Sequence, residues 1–216
     1  MKVPRLILHT PNGHAKENEL KKVFVTILMA LLTACSSCGP AELKVPMDTA
    51  PESPWPFATW DECSQEVGAH PCNFTLKDQS DEEVSLYDFY GNVIVLDLSA
   101  MWCGPCRMAG ADVQATVERF AEHDVKYITV LIDNLQGRPP SLLDVQSWAN
   151  DLGITTEPVL QGSRDFLSAD PTIGYPLESW PTFILITKDM KVYLYQKGYN
   201  QQVLDMLIED TISQSQ

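Results

Sequence analysis

The sequence predicts an α/β fold of three layers, in which a central mixed β-sheet is flanked by helices and preceded by an N-terminal β-hairpin extension. Short apolar runs of strand length alternate with longer segments of helical periodicity, which is the pattern of a sheet covered by helices. Two runs within residues 73–86 flank a polar turn and predict the N-terminal hairpin. Runs at 183–186 and 192–195 predict a second, antiparallel hairpin, which a last helix follows.

The elements between these hairpins follow from the same patterns. Apolar runs rich in β-branched residues predict buried strands, and apolar residues spaced by three and four predict helices. In chain order, we expect a strand at 93–98, a helix at 107–121, a strand at 127–132, a helix at 142–152 and a short strand at 158–160. Residues 164–174 are expected to form a loop or a short helix.

Length and charge limit the functions open to the chain. With 216 residues, of which 44% are hydrophobic, the chain can form one domain with additional segments. The formal net charge of −14 argues against nucleic acid as a partner.

The first 61 residues have the composition of export and anchoring segments. Two lysines precede an apolar stretch at 23–34, which is too short to span a bilayer but suits the core of a signal peptide. The tetrapeptide ending at Cys35 resembles the bacterial lipobox, which implies lipidation of that cysteine; an ordinary secretory signal cleaved nearby is the alternative. We predict a lipoprotein-type signal peptide at 1–34, a Pro-rich tether at 35–61 and a folded domain at 62–216. The protein is then expected at the bacterial cell envelope, anchored to the membrane and facing the periplasm or the exterior.

A pair of cysteines lies between the strand at 93–98 and the helix at 107–121. In the segment WCGPC, Cys103 is expected at the helix N-terminus, where free backbone N–H groups and the helix dipole favour the thiolate. Cys106 then lies about one turn further on, close enough to attack a mixed disulfide formed by Cys103. Half of a zinc site is the alternative, but the chain has no cysteine after Cys106 to supply the other half.

The segment WCGPC resembles the active site of thioredoxins. Asp97 lies six residues before Cys103, the spacing at which thioredoxins carry a buried acid. The tripeptide Trp180-Pro181-Thr182 resembles the segment where that family keeps a cis-proline facing the cysteines. The similarity extends over roughly residues 72–212, and its second half is most similar to the exported TlpA-like and redoxin branch.

The resemblance implies a thioredoxin-like fold and thiol–disulfide exchange without a bound cofactor. Cys103 is implied as the nucleophile, Cys106 as the resolving thiol and Asp97 as the general base for Cys106. Pro181 is implied to be cis, and Trp102 is implied to form part of an apolar docking surface. One departure is clear: thioredoxins often carry a lysine near the end of the next strand, where this sequence has a threonine, Thr129.

The expected role is that of a monomeric reductase acting on disulfides of exported proteins and kept reduced by a membrane electron donor. Cytochrome c maturation and antioxidant activity are processes that use such domains. A thiol peroxidase of the redoxin type is one alternative, but its motif has a hydroxyl three residues before the cysteine, where this chain has Ala100. A copper-delivery protein of the same fold is another; it would need a downstream histidine, and the last one, His123, is expected at the far end of the helix.

Two further cysteines precede the predicted hairpin. Cys63 and Cys72 form an even, closely spaced pair, which in an exported protein predicts a structural disulfide. Cysteines that are free or otherwise paired are one alternative, and a metal site formed with His70 is another, although its spacing is irregular.

Overall fold

A computed structural model of the chain describes residue 60 and residues 62–215. The predicted signal peptide, the lipidation site at Cys35 and the tether up to residue 59 lie outside the described residues. In the described part of the chain, no helix has the length and apolar character needed to cross a membrane.

The described residues form seven strands and three α-helices. In chain order they are β1 (Thr75–Lys77), β2 (Glu83–Ser85), β3 (Val93–Ala100), α1 (Gly104–Arg119), β4 (Val125–Asp133), α2 (Leu142–Leu152), β5 (Val159–Gln161), β6 (Thr182–Ile186), β7 (Val192–Lys197) and α3 (Gln201–Gln214). Single-turn 3₁₀ helices lie at Leu86–Phe89, Ala121–His123 and Arg164–Phe166.

The main sheet has five strands in the order β5-β4-β3-β6-β7. Strands β3, β4 and β5 run parallel, whereas β6 pairs antiparallel with β3 and β7 antiparallel with β6. Strands β1 and β2 form a separate antiparallel hairpin before the sheet. The predicted mixed sheet with an N-terminal hairpin extension is therefore confirmed.

Strand β3 is buried along its whole length and divides the interior into two apolar clusters. Val93 and Val95 belong to the first cluster, and Ile94 and Leu96 belong to the second. Successive side chains of a strand point to opposite faces, so Asp97 lies on the same face as Val93 and Val95. A carboxyl group therefore lies on the face of the first cluster.

All three α-helices contribute to that first cluster, through Val113 of α1, Trp148 of α2 and Ile208 of α3. The β3–α1–β4 and β4–α2–β5 connections step in the same direction across the sheet, and right-handed crossovers then place both helices on one face. The second cluster includes Leu86 of the first 3₁₀ helix and Tyr175 of the loop before β6. The sheet is therefore covered by helices on one side and by the N-terminal segments and this loop on the other.

The strand and helix that flank the cysteines differ slightly from the prediction. Strand β3 continues to Ala100, which pairs with Asp133 at the end of β4. The amide of Met101 then donates to the carbonyl of Asp133 at 2.9 Å, so the pairing extends one residue beyond the strand. Helix α1 begins at Gly104, immediately after Cys103, and thus earlier than its apolar periodicity indicates.

Candidate active site

The two cysteines of the WCGPC segment lie at the N-terminus of α1. Cys103 is the N-cap residue, Cys106 lies in the first turn, and their sulfur atoms form a disulfide. The amide N–H of Cys106 donates to Sγ of Cys103 at 3.1 Å. Cys103 retains 4% of its surface exposed, whereas Cys106 has none. An incoming protein therefore meets Cys103 first.

The first turn of α1 favours a negative charge on Cys103. The free N–H groups of a helix N-terminus carry a partial positive charge, which stabilises a thiolate placed there. No acidic residue lies in the first turn of α1 to offset that charge. Pro105 lies in the same turn, where the N–H that it lacks is not needed for the helix.

Asp97 is completely buried on the helix-facing side of β3. Its Oδ1 accepts a hydrogen bond from the Ser99 hydroxyl at 2.8 Å, and its Oδ2 accepts one from the Tyr127 hydroxyl at 3.2 Å. Burial raises the pKa of Asp97 from 3.8 to about 7, although both hydroxyl groups act to lower it. A carboxyl group with this pKa can accept and release a proton near neutral pH.

The position of the thioredoxin lysine is occupied by Thr129, which is the Cα partner of Asp97 in the β3–β4 register. Thr129 is buried, and its hydroxyl oxygen has no hydrogen-bond partner among the described residues. In the same part of the chain, the Asp97 carboxyl is bonded to hydroxyl groups and to no lysine or arginine. Tyr127, two residues before Thr129 on β4, supplies the partner that the sequence did not reveal.

Pro181 lies directly before β6, and the Trp180–Pro181 peptide bond is cis. The Pro181 carbonyl accepts the amide N–H of Gly198 at 2.9 Å. The Trp180 ring meets the Trp102 ring edge to face, with 5.4 Å between the ring centroids. The structure thus brings the proline segment into contact with the residue that precedes Cys103.

Trp102 is part of a polar network that sequence reasoning missed. Its indole Nε1 donates to Oδ2 of Asp133, a completely buried residue, at 3.2 Å. Arg164 donates to the same carboxylate twice, from Nε at 2.9 Å and from Nη2 at 2.5 Å. The hydrogen bond from Arg164 is the main cause that lowers the pKa of Asp133. An acid at the end of an apolar strand is the only sequence signal that could have pointed to Asp133.

Cys63 and Cys72 lie in the segment before β1, and their sulfur atoms are bonded to each other in the structure. The Tyr175 hydroxyl donates to the Cys72 carbonyl at 2.9 Å. His70 donates from Nδ1 to the Met190 carbonyl at 2.6 Å. Among the described residues, no group of three or more His, Cys, Asp or Glu side chains is arranged to hold a metal ion.

Comparison with known proteins identifies the family. Residues 67–194, more than half of the chain, match the AhpC/TSA family. The chain belongs to this family. The match covers β1 to β6 and includes both cysteines of α1 and the cis-proline segment.

Individual thioredoxin-like and thiol-disulfide proteins are also similar to this chain. The thioredoxin-like protein YneN of Bacillus subtilis (strain 168) is 28% identical over 144 residues, which are 64% of this chain and 79% of YneN. The thioredoxin domain of a thiol-disulfide oxidoreductase from Bacteroides vulgatus has a TM-score of 0.56 at 18% identity and covers 68% of this chain and 98% of that one. A secreted thiol-disulfide isomerase from Corynebacterium glutamicum has a TM-score of 0.55 at 19% identity and covers 67% and 86% of the two chains.

The predicted membership of the redoxin branch of the thioredoxin-like superfamily is therefore confirmed. The family, the fold and the paired cysteines at the start of α1 together make this AhpC/TSA-family protein a thiol–disulfide oxidoreductase.

Proposed function

We propose that this AhpC/TSA-family protein is a membrane-anchored oxidoreductase that reduces disulfides of exported proteins through Cys103 and Cys106. The observation that carries the proposal is the unequal exposure of the two cysteines. Cys103, the N-cap residue of the helix, retains some exposed surface, whereas Cys106 is completely buried. A reductase of this type needs one nucleophile open to substrate and one resolving thiol protected from it.

The first chemical step is attack by Cys103. Its thiolate, stabilised by the helix N-terminus, attacks one sulfur of a substrate disulfide. A bond forms between Cys103 Sγ and that sulfur, the substrate disulfide breaks, and the second substrate sulfur leaves as a thiolate that takes up a proton. Trp102 and Trp180 provide aromatic surface for the incoming chain. Pro181, which follows a cis peptide bond and precedes β6, leaves the preceding backbone free to pair with a substrate strand.

The second step is resolution by Cys106. Asp97 accepts the proton of the Cys106 thiol, directly or through water, and the resulting thiolate attacks Cys103 Sγ. The Cys103–Cys106 disulfide forms, and the substrate leaves as a dithiol that has gained two electrons. The pKa of Asp97 near 7 suits this proton transfer, since the carboxylate is present at neutral pH and is basic enough to be protonated.

The reducing direction is supported by the residues between the cysteines. Gly104 and Pro105 match the thioredoxin dipeptide, and thioredoxin has a reduction potential of about −270 mV, against about −120 mV for a strong oxidant of the same fold. A membrane electron donor must then return two electrons to the Cys103–Cys106 disulfide after each cycle. Cytochrome c maturation and antioxidant activity are the processes that we assign as candidates.

Anchoring and location rest on the N-terminal sequence. The proposed signal peptide at 1–34 and lipidation of Cys35 would tether the catalytic domain to the cell envelope. The structural relative from Corynebacterium glutamicum is described as secreted, which supports an exported location. Mass spectrometry of the membrane fraction should detect a lipid-modified peptide beginning at Cys35. A water-soluble mature chain that begins at another residue would contradict the anchor.

Thiol peroxidase activity is the second candidate, and the AhpC/TSA family match favours it over copper delivery. The hydroxyl group that peroxidases of this branch place three residues before the cysteine is missing here, because that residue is the buried Ala100. Turnover of hydrogen peroxide, measured beside reduction of a protein disulfide, separates the two activities. Peroxide turnover faster than disulfide reduction would reject the reductase proposal.

Trapping with single cysteine variants tests the two thiol roles. Cys106→Ser keeps the nucleophile and removes the resolving thiol, so it should accumulate mixed disulfides through Cys103, visible on non-reducing gels. Cys103→Ser should trap nothing. The reverse pattern would exchange the roles, and a reduction potential near that of the strong oxidant, measured against glutathione, would overturn the direction.

We assign the Cys63–Cys72 pair a structural role, apart from the reaction. The disulfide closes a loop that is held by backbone hydrogen bonds. The backbone N–H of Gln65 donates to the Pro171 carbonyl at 2.8 Å, and that of Gly68 donates to the Val192 carbonyl at 2.7 Å. Peptide mapping of freshly isolated, alkylated protein should recover the two cysteines linked to each other. Recovery of both as alkylated thiols would contradict the assignment.

A further inference from the structure

Arg164 lies in the 3₁₀ turn after β5. Two successive contacts connect its side chain to the segment that carries the cysteines. Its guanidinium binds both carboxylate oxygens of Asp133, and Oδ2 of that carboxylate also accepts the Trp102 indole N–H. Trp102 in turn contacts the ring of Trp180. A charged side chain on a surface turn is therefore connected to the residues that flank Cys103 and Pro181.

We propose that Arg164 is a positioning residue for disulfide exchange: by holding the Asp133 carboxylate in place, it fixes Trp102 against Trp180 so that the two rings frame Cys103. The inference rests on the proposed function, because it assigns these rings to the docking of a substrate protein. Arg164 itself is not expected to touch the reacting sulfur atoms.

The burial of Asp133 makes the arrangement depend on Arg164. Asp133 has no exposed surface, and its described partners are one guanidinium and one indole N–H. Without the guanidinium, a desolvated carboxylate either takes up a proton or turns towards water. Both changes weaken or break the hydrogen bond that holds the indole. Lysine cannot replace the arginine fully, because its ammonium group lacks the planar pair of donors.

The exposure of Arg164 and Trp102 indicates that the outer part of the network can contact a docking partner. The Arg164 side chain is 64% exposed and Trp102 is 45% exposed. Because Asp133 is fully buried, the ion pair also stabilises the fold, but an exposed indole beside a nucleophile helps docking most when its orientation is fixed. The chain also offers a matched control, since Arg119 pairs with Asp205 at 3.1 Å between α1 and α3, through residues outside the Trp102 network.

The first test measures the indole directly and needs no substrate. The Trp102 Nε1–H resonance in a ¹H–¹⁵N spectrum is identified by its loss in Trp102→Phe. Arg164→Gln should shift this resonance and speed its hydrogen exchange by about tenfold or more, as expected when a protecting hydrogen bond opens. Arg119→Gln should leave it unchanged. An unshifted, equally protected indole in folded Arg164→Gln would overturn the proposal.

The second test uses reduction of a protein disulfide. Arg164→Gln should raise KM by about tenfold with kcat changed by less than about twofold, because the rings bind substrate equally in the ground state and the transition state. Trp102→Phe removes the N–H that the Asp133 carboxylate holds. The KM of the double variant should therefore be no higher than that of the single variant with the higher KM. Multiplying losses would show that Arg164 acts by another route and would overturn the proposal.

Two further cases are a variant that does not fold and a parent protein that reduces no disulfide. If Arg164→Gln does not fold, Arg164→Lys carries the test: its point charge predicts an intermediate KM and a shifted indole resonance, and parent values for both would overturn the proposal. If the parent protein reduces no disulfide, the proposed function is rejected, and the indole spectrum still decides whether Arg164 positions Trp102.

Discussion

Two completely buried carboxyl groups, Asp97 on β3 and Asp133 at the end of β4, have opposite protonation behaviour. Asp97 receives hydrogen bonds from two hydroxyl groups, and burial raises its pKa to about 7. Asp133 receives the guanidinium of Arg164, whose hydrogen bond is the main cause of a lowered pKa. Burial alone therefore does not decide protonation: a neutral donor leaves desolvation dominant, whereas a cation overcomes it.

The difference separates two roles that both require a buried acid. Asp97 can exchange a proton near neutral pH, which suits a base that activates the resolving thiol. Asp133 remains charged, and its oxygens are available as fixed acceptors for Arg164 and the Trp102 indole. The proposed proton carrier and the proposed anchor of the docking surface thus lie on neighbouring strands, and only the second is paired with a cation.

The largest expected effect follows from removing the proton acceptor. Asp97→Asn should slow decay of the mixed disulfide by about 10²–10³-fold, within the roughly 10²–10⁴-fold that a positioned acid–base group contributes. Rapid mixing followed by acid quench and thiol alkylation measures this step. Asp133→Asn is the matched control and should change the same rate by less than about threefold while raising KM. Equal losses in both variants would show that the two acids do not have separate roles.

Stability should respond to the same two substitutions with opposite signs. The native pKa of Asp97 is about 7, above its ordinary 3.8, so the stability gained by protonation is fully present below about pH 4 and is lost as pH rises through about 7. At pH 8 the ionised Asp97 is destabilising, and Asp97→Asn should raise the free energy of unfolding by roughly 2–4 kcal/mol. That gain should shrink at pH 5.

Asp133 has the reverse dependence. Because its native pKa is lowered, its charge stabilises the fold above the ordinary range of aspartate and loses that effect as pH falls through the native pKa. Asp133→Asn should therefore lower the free energy of unfolding at pH 8, by about 1–3 kcal/mol. Urea unfolding of the oxidised proteins at pH 5 and pH 8 gives all four values. The same sign for both variants at pH 8 would contradict the comparison.

The sequence predicted the local part of this arrangement. Asp97 and Cys103 are six residues apart, so a strand, a turn and a helix start fix their relation, and the resemblance to thioredoxins adds the proline segment. The absence of the lysine was also visible at Thr129. The hydrogen bond from Tyr127 to Asp97 was not visible, because only the β3–β4 register shows which hydroxyl reaches the carboxyl.

The partner of Asp133 was beyond local patterns. Arg164 is 31 residues away in sequence and lies in a 3₁₀ turn without apolar periodicity. Its segment was expected only to be a loop or short helix. A pairing between the end of one strand and the turn after another depends on the assembled sheet, and a single sequence contains no pattern for it. The fold and the dithiol were therefore predictable, and the charged support of Trp102 was not.

Placing a cation beside Asp97 should make it resemble Asp133. Thr129→Lys introduces an ammonium group at the residue paired with Asp97, which should lower the carboxyl pKa by about 1–3 units. Thr129→Met adds a side chain of similar length without charge and controls for crowding of the core. Infrared difference spectra of the carboxyl stretch against pH report the value. A pKa that stays near 7 with lysine, or falls equally with methionine, would contradict the role given to the cation.

The smallest expected effect comes from removing one hydroxyl group. The Tyr127 hydroxyl bonds to the Asp97 carboxyl and acts to lower its pKa, so Tyr127→Phe should raise that pKa by less than about one unit, the size of one neutral hydrogen bond. The Ser99 hydroxyl remains, which keeps the shift small. Tyr175→Phe is the matched control, because Tyr175 belongs to the other cluster and its hydroxyl loses a partly buried hydrogen bond to the Cys72 carbonyl. The pH midpoint of mixed-disulfide decay should move upward in Tyr127→Phe alone. An equal shift in both variants would reflect loosened packing, and a downward shift would mean that the Tyr127 hydroxyl stabilises the protonated acid instead of its charge.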